Sequence, residues 1–127
     1  MTDGVADLTT RALEKALDGA AAGHRVAANN LANIETPGYT ARRVSFEGAL
    51  RAAVRAEQSG RETGAISRVR PSLTPTAAPA GPDGNNVSIE EEMLALGEAS
   101  VRYQALTRLI DRRLQMIGTV IGDGRSG

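Results

Sequence analysis

The sequence predicts a mainly α fold: two long N- and C-terminal helices forming an antiparallel coiled-coil-like pair, with a Pro/Gly-rich irregular middle segment and a short helix. Three observations predict it. Apolar and small residues recur at alternating spacings of four and three toward both ends of the chain, which is the seam of a helix that packs on another helix. Pro71, Pro75, Pro79 and Pro82 punctuate the stretch between them and forbid continuous helix there. The chain also has 127 residues, 2% aromatics and no Trp, so residues 1–127 make a single domain that lacks the large anchors of an independent core and favours close helix approach over thick packing.

The first helix is expected over 7–34, begun by polar residues between Asp7 and Thr10 that can cap it and roughly 40 Å long. Its seam is Leu13, Leu17, Ala20, His24, Ala27, Leu31 and Ile34. Pro37 ends it: the ring biases Thr36 away from helical dihedrals, and Pro37-Gly38 suits the central positions of a type II turn, with Gly38 at positive φ. A turn and short helix are expected over 35–56. Tyr39 to Val44 is too short and polar to commit to a strand, whereas Phe46, Leu50 and Val54, four apart, suggest an amphipathic helix begun by Ser45. Residues 57–86 read as a flexible or extended loop, with Ile66 to Val69 as a short strand.

The second long helix is expected over 88–121. Ser88 with Glu91 three residues later forms a capping box, Glu90 to Glu92 complement the positive end of the dipole, and Arg108, Arg112 and Arg113 sit toward the other end. Its seam is Ile89, Met93, Leu96, Ser100, Tyr103, Thr107, Ile110, Leu114, Ile117 and Ile121, about 50 Å of helix. Beside it runs a second stripe, Leu106, Leu109, Met116 and Val120. The combined arc is wider than one partner helix covers. The second stripe is therefore a candidate interface with another subunit, the alternative being that the short helix covers part of it within one chain.

Composition narrows the function classes. Cysteine is absent, which removes disulfides, thiolate nucleophiles and thiolate metal sites. His24 is the single histidine; without companion ligands it reads as a packing residue rather than a metal site, which needs about three or four ligands. Ser45, Ser88 and Ser100 lack a His and acid arrangement, and the glycines follow no phosphate-loop or dinucleotide pattern. No catalytic residue, cofactor, metal or small-molecule substrate is expected. No stretch is long and apolar enough to span a membrane, and the acidic start, with Asp3 and Asp7, is unlike a cleaved signal. Net charge is zero but unevenly spread: minus 2 over 1–35, plus 4 over 36–82 and minus 2 over 83–127. A nucleic-acid partner would rest only on the basic middle, and the aromatic platforms for it are missing.

The remaining signal is in two motifs. Ala28 to Tyr39 reads ANNLANIETPGY and resembles the N-terminal motif of the flagellar axial proteins, the family of rod and hook subunits. Tyr39 to Leu50 (YTARRVSFEGAL) continues the likeness. Asp83 to Met93 (DGNNVSIEEEM) and Ala99 to Leu109 (ASVRYQALTRL) look like the C-terminal half of a short rod subunit. The resemblance implies a structural subunit of the bacterial flagellar basal-body rod, polymerising into a drive shaft around the export channel. It implies other rod subunits, a rod-base adaptor and the flagellar export gate as partners, and a periplasmic position reached by type III export without signal cleavage. It also implies that Asn29, Asn30, Leu31, Asn33, Thr36, Pro37, Gly38 and Tyr39 serve the turn and subunit contacts. Within the seams, Leu13, Leu17, Leu31, Ile34, Met93, Leu96, Tyr103, Ile110, Leu114 and Ile117 are the expected pairing residues. The rival is a soluble helical adaptor or export chaperone that holds a partner helix without polymerising.

Overall fold

The computed structural model describes residues 2–125, with side-chain environments over 7–118. In chain order its elements are helix α1 (Thr2–Ala32), strand β1 (Arg42–Ser45), helix α2 (Glu47–Gln58), the single helical turn α3 (Ala65–Arg68), strand β2 (Ser72–Pro75) and helix α4 (Ile89–Arg125). The two long helices pack together and run antiparallel. Arg113 Nε donates to Thr10 Oγ1 at 3.3 Å at one end of the pair, and Asn30 Nδ2 donates to Glu92 Oε2 at 3.0 Å at the other.

The contact between them is thin. From α1 it buries Ala20 and Ala27, and from α4 it buries Ala99. A Cβ placed on Gly23 would sit 3.9 Å from that of Ala99, so the axes approach through methyl groups. Phe46, just before α2, lays its ring on the backbone of Gly19, where a Cβ would fall 2.0 Å from Phe46 Cζ.

Helix boundaries differ from expectation in informative ways. α1 ends at Ala32, so Ile34 lies in the following turn, with its N–H on Leu31 O at 3.2 Å. Thr36 O accepts from Tyr39 N at 3.2 Å and Gly38 has φ +75°, the geometry that Pro-Gly favours. α2 starts after Phe46, because Ser45 is occupied as the last residue of β1. At α4, Ser88 Oγ accepts from Glu91 N at 3.4 Å, while the Glu91 carboxylate turns to Arg43 at 3.6 Å.

The middle segment is more ordered in shape than its composition suggests. The Ile66 to Val69 strand is corrected to a helical turn: Gly64, at φ +75°, leads into α3, and Val69 N closes it on Ile66 O at 3.1 Å. The strand is instead Ser72–Pro75, which pairs antiparallel with β1 in the register Arg42↔Pro75 to Ser45↔Ser72. The lack of a buried apolar face hid both strands, since this two-stranded ribbon has little apolar burial to enforce. Ile66 is fully buried and centres a cluster with Ala53, Ala65 and Val69, against Leu8, Ala12, Leu50 and Val54. An ion pair closes its edge: Arg11 Nη1 donates to both oxygens of Glu57 at 3.1 Å, and Gly64 N donates to Glu57 Oε1 at 2.8 Å. Burial pushes the Glu57 carboxyl up, but the bonds from Arg11 and Gly64 outweigh it and hold it below its usual value.

The chain exposes 8492 Å² of accessible surface. A compact monomer of 13.3 kDa is expected to expose only ~6,450 Å². The excess, about 2,000 Å², goes with two long helices covered on few sides.

Candidate functional site

Two features could carry function: the junction at which the two sequence motifs meet, and the outer face of α4.

The junction is built around Asn30, which is completely buried. Its amide nitrogen donates to Arg42 O at 2.9 Å and to Glu92 Oε2 at 3.0 Å; its carbonyl accepts from Tyr39 Oη at 3.0 Å and from Arg42 N at 3.2 Å. Glu92, also completely buried, receives Arg43 Nη1 on both oxygens at 2.7 and 2.9 Å. Every member is thus satisfied, as buried polar groups must be. The three elements tied here are the end of α1, the strand β1 and the first turn of α4.

The loop before α4 locks onto the same place. Asn85 Nδ2 donates to Asn33 O and Thr36 O, both at 2.8 Å, and its carbonyl accepts from Val87 N at 2.8 Å. Asn86 accepts from Ala41 N at 2.7 Å and donates to Thr76 Oγ1 at 3.0 Å and Ala78 O at 3.1 Å. Gly38 N donates to Asp83 O at 2.9 Å. Gly84 has φ +80° and lies so close to Gly38 that an added Cβ would be 3.2 Å from Gly38 Cα. The ANNLANIETPGY and DGNN segments therefore form one hydrogen-bonded clasp within the chain.

The other motif residues are placed as follows. Asn29 is exposed, donating to Tyr39 Oη at 3.3 Å and accepting from Asn33 Nδ2 on its backbone oxygen at 2.8 Å. Thr36 Oγ1 donates to Asn33 Oδ1 at 3.1 Å. Thr36, Pro37 and Gly38 are exposed, and Leu31, Asn33 and Tyr39 are half-buried.

On the pairing seam, Leu13, Leu17 and Leu31 are half-buried along α1, while His24 is exposed. On α4 the covered strip is Glu92, Ala95, Leu96, Ala99, Ser100, Leu106, Thr107, Ile110 and Arg113. It shares Leu96, Ser100, Thr107 and Ile110 with the expected seam but is turned about 40° from it at 100° per residue. Met93, Tyr103, Leu114 and Ile117 consequently lie exposed. Small residues explain the rotation: α1 presents Ala and Gly, which seat closest against Ala95 and Ala99 rather than against Met93 and Leu114. Of the second stripe, Leu106 is half-buried in a groove shared with α1 and α2, Leu109 and Met116 are exposed, and Val120 lies outside the described side chains, as does Ile121.

Sequence reasoning passed over Arg43, Glu92, Asn85 and Asn86 as functional residues. A glutamate followed at helical spacing by Ala95 and Ala99 was the available signal. It also passed over Leu94 and Val101, which are 64% and 67% exposed beside Ile89 and Met93, each 58% exposed. These four make an apolar strip on the outer side of the first half of α4.

Among the described residues no group of three or more His, Asp or Glu side chains is placed to hold a metal ion, and no described helix is long and apolar enough to cross a membrane. No family model matches the chain. A curated relative does: the flagellar basal body rod protein FlgB of Bacillus subtilis (strain 168) is 30% identical over 123 residues, spanning 92% of this chain and 95% of the relative. An identity of that level over nearly the whole of both chains makes this chain a member of the FlgB family of flagellar basal body rod proteins.

Proposed function

We propose that the chain is a structural subunit of the flagellar basal-body rod, polymerising with other rod subunits into the drive shaft that transmits torque and surrounds the export channel. The observation that carries this reading is the uncovered apolar surface of α4, where Met93, Leu109, Leu114, Met116 and Ile117 stand exposed in a chain whose own core is mostly alanine. Such a surface is a liability on a free monomer and an asset in an assembly. Contacts of the head-to-tail kind that do not close into a ring generate a helical filament. The clasp suits the load: it ties α1, β1 and α4 by short, fully paired bonds, so neighbouring elements move as one body.

In this reading the partners are other rod subunits, the rod-base adaptor and the export gate. The place of action is the periplasmic part of the basal body, reached by flagellar export without a cleaved signal. Asn30 and Asn33 act within the subunit, and the exposed Asn29, Thr36 and Pro37 are left for subunit contacts. The test is sedimentation of the purified chain over a wide concentration range, alone and mixed with other rod subunits. Growth into large species supports the rod. A compact monomer that ignores rod subunits at every concentration moves the assignment to a soluble helical adaptor or export chaperone. Leu109→Asp and Leu114→Asp should abolish growth with other rod subunits while leaving helicity intact, because neither side chain is needed by the α1–α4 contact.

A further inference from the structure

Two uncovered features of the chain are complementary in shape and sign. The first is the outer strip of α4, Ile89, Met93, Leu94 and Val101, more than half exposed throughout and flanked by the exposed carboxylates Glu90 and Glu98, for which the described residues supply no ion pair. The second is a groove of about 660 Å³ between α1, α2 and α4, floored by Ala12, Ala16, Phe46, Leu50, Val54 and Leu106. On its rim stand Arg51 and Arg55, both exposed and also without an ion-pair partner among the described residues. A third rim arginine, Arg102, is held by Glu47.

We infer that the groove of one subunit receives the outer strip of α4 from a second copy of this chain. The inference rests on the rod reading and adds to it which surfaces meet and in what sense. Three observations on different scales support the second copy as occupant. The strip brings apolar side chains to an apolar floor, and the carboxylates beside it, Glu90 and Glu98, are opposite in sign to Arg51 and Arg55 on the rim, so that mating sets two carboxylates against two guanidiniums. The strip and groove are different surfaces, which makes the contact heterologous, the head-to-tail kind that builds a filament where the rotation does not close a ring. Each copy then buries two patches, one of each kind; at about 800 Å² per patch for a stable interface, this accounts for most of the ~2,000 Å² by which the surface exceeds that of a compact monomer.

The head-to-tail sense gives a direct test by mixing two dead-ended variants. Leu94→Asp spoils the strip and keeps the groove; the pair Arg51→Glu and Arg55→Glu reverses the rim and keeps the strip. All three sites are exposed, so helicity by circular dichroism should match the parent chain. The expected result is that the parent chain grows, each variant alone stays monomeric, and an equimolar mixture stops at a species of twice the monomer mass. A mixture that stays monomeric although both variants are helical overturns the proposal, as does either variant growing alone like the parent. A parent chain that is monomeric alone but joins other rod subunits overturns the second copy as occupant and leaves the rod reading standing. A parent chain that does neither overturns both.

Discussion

Changing Asn30 to Asp alters one atom of the clasp, replacing the amide nitrogen with an oxygen. That oxygen would face Glu92 Oε2 at 3.0 Å in a fully buried place. Two donated hydrogen bonds are lost, to Arg42 O and to Glu92, at about 1 kcal/mol each. Two negative oxygens 3 Å apart repel by ~5 kcal/mol at an effective dielectric of 20, part of which Arg43 offsets through its bonds to Glu92. The expected loss is about 4 kcal/mol, a large share of the 5 to 15 kcal/mol on which a domain of roughly this size stands. Urea unfolding at neutral pH, followed by circular dichroism, measures it. The diagnostic step is the second change: Glu92→Gln in the same chain restores an amide opposite a carboxylate, with the roles exchanged, and should recover about 2 kcal/mol. If Asn30→Asp costs under ~1 kcal/mol, or if Glu92→Gln deepens the loss instead of recovering part of it, the clasp is not held by the pairing described.

Gly19→Ala puts a methyl 2.0 Å from the Phe46 ring; the clash should outweigh the ~1 kcal/mol gained in helix propensity and destabilise by about 1 to 3 kcal/mol, with Phe46→Leu relieving part of it in the double variant. Ile66→Ala empties the largest fully buried apolar position among the described residues and should cost about 2 to 5 kcal/mol, with amide exchange quickening first in α2 and α3. Glu57 is held below its ordinary value of 4.5 because the bonds from Arg11 and Gly64 outweigh burial. Its contribution is therefore complete above that value and lost as pH falls through the lower folded one. The stability difference between the parent chain and Glu57→Gln should be constant from neutral pH to about 5 and shrink on further acidification; a difference that grows toward acid pH would contradict the geometry.

Helix was legible because its signals are local. Pro37 and Gly38 state where α1 must stop, Ser88 where α4 starts, and four–three spacing is a period the backbone itself imposes. The strands β1 and β2 were not legible, since Arg42 to Ser45 and Ser72 to Pro75 carry no apolar alternation; their pairing depends on α2 and α3 folding between them. Glu57 and Glu92 illustrate the same limit. Each sits in a sequence context that reads as solvated charge, and each is buried only because an arginine far along the chain, Arg11 or Arg43, arrives to meet it.

By itself the sequence determined that this is a chain of two long helices with a turn at Pro37-Gly38 and an alanine-rich contact, because periodicity, capping and composition act within a few residues. Only the tertiary structure decided which arc of α4 faces inward and what the asparagines do. The rotation of α4 follows from the closest seating of Ala20 and Ala27 against Ala99, a matter of van der Waals contact between distant segments that no spacing encodes. Asn30 is a weak helix former at a helix end until Arg42, Tyr39 and Glu92 surround it, and the value of its amide depends on the exclusion of water that those three bring about together.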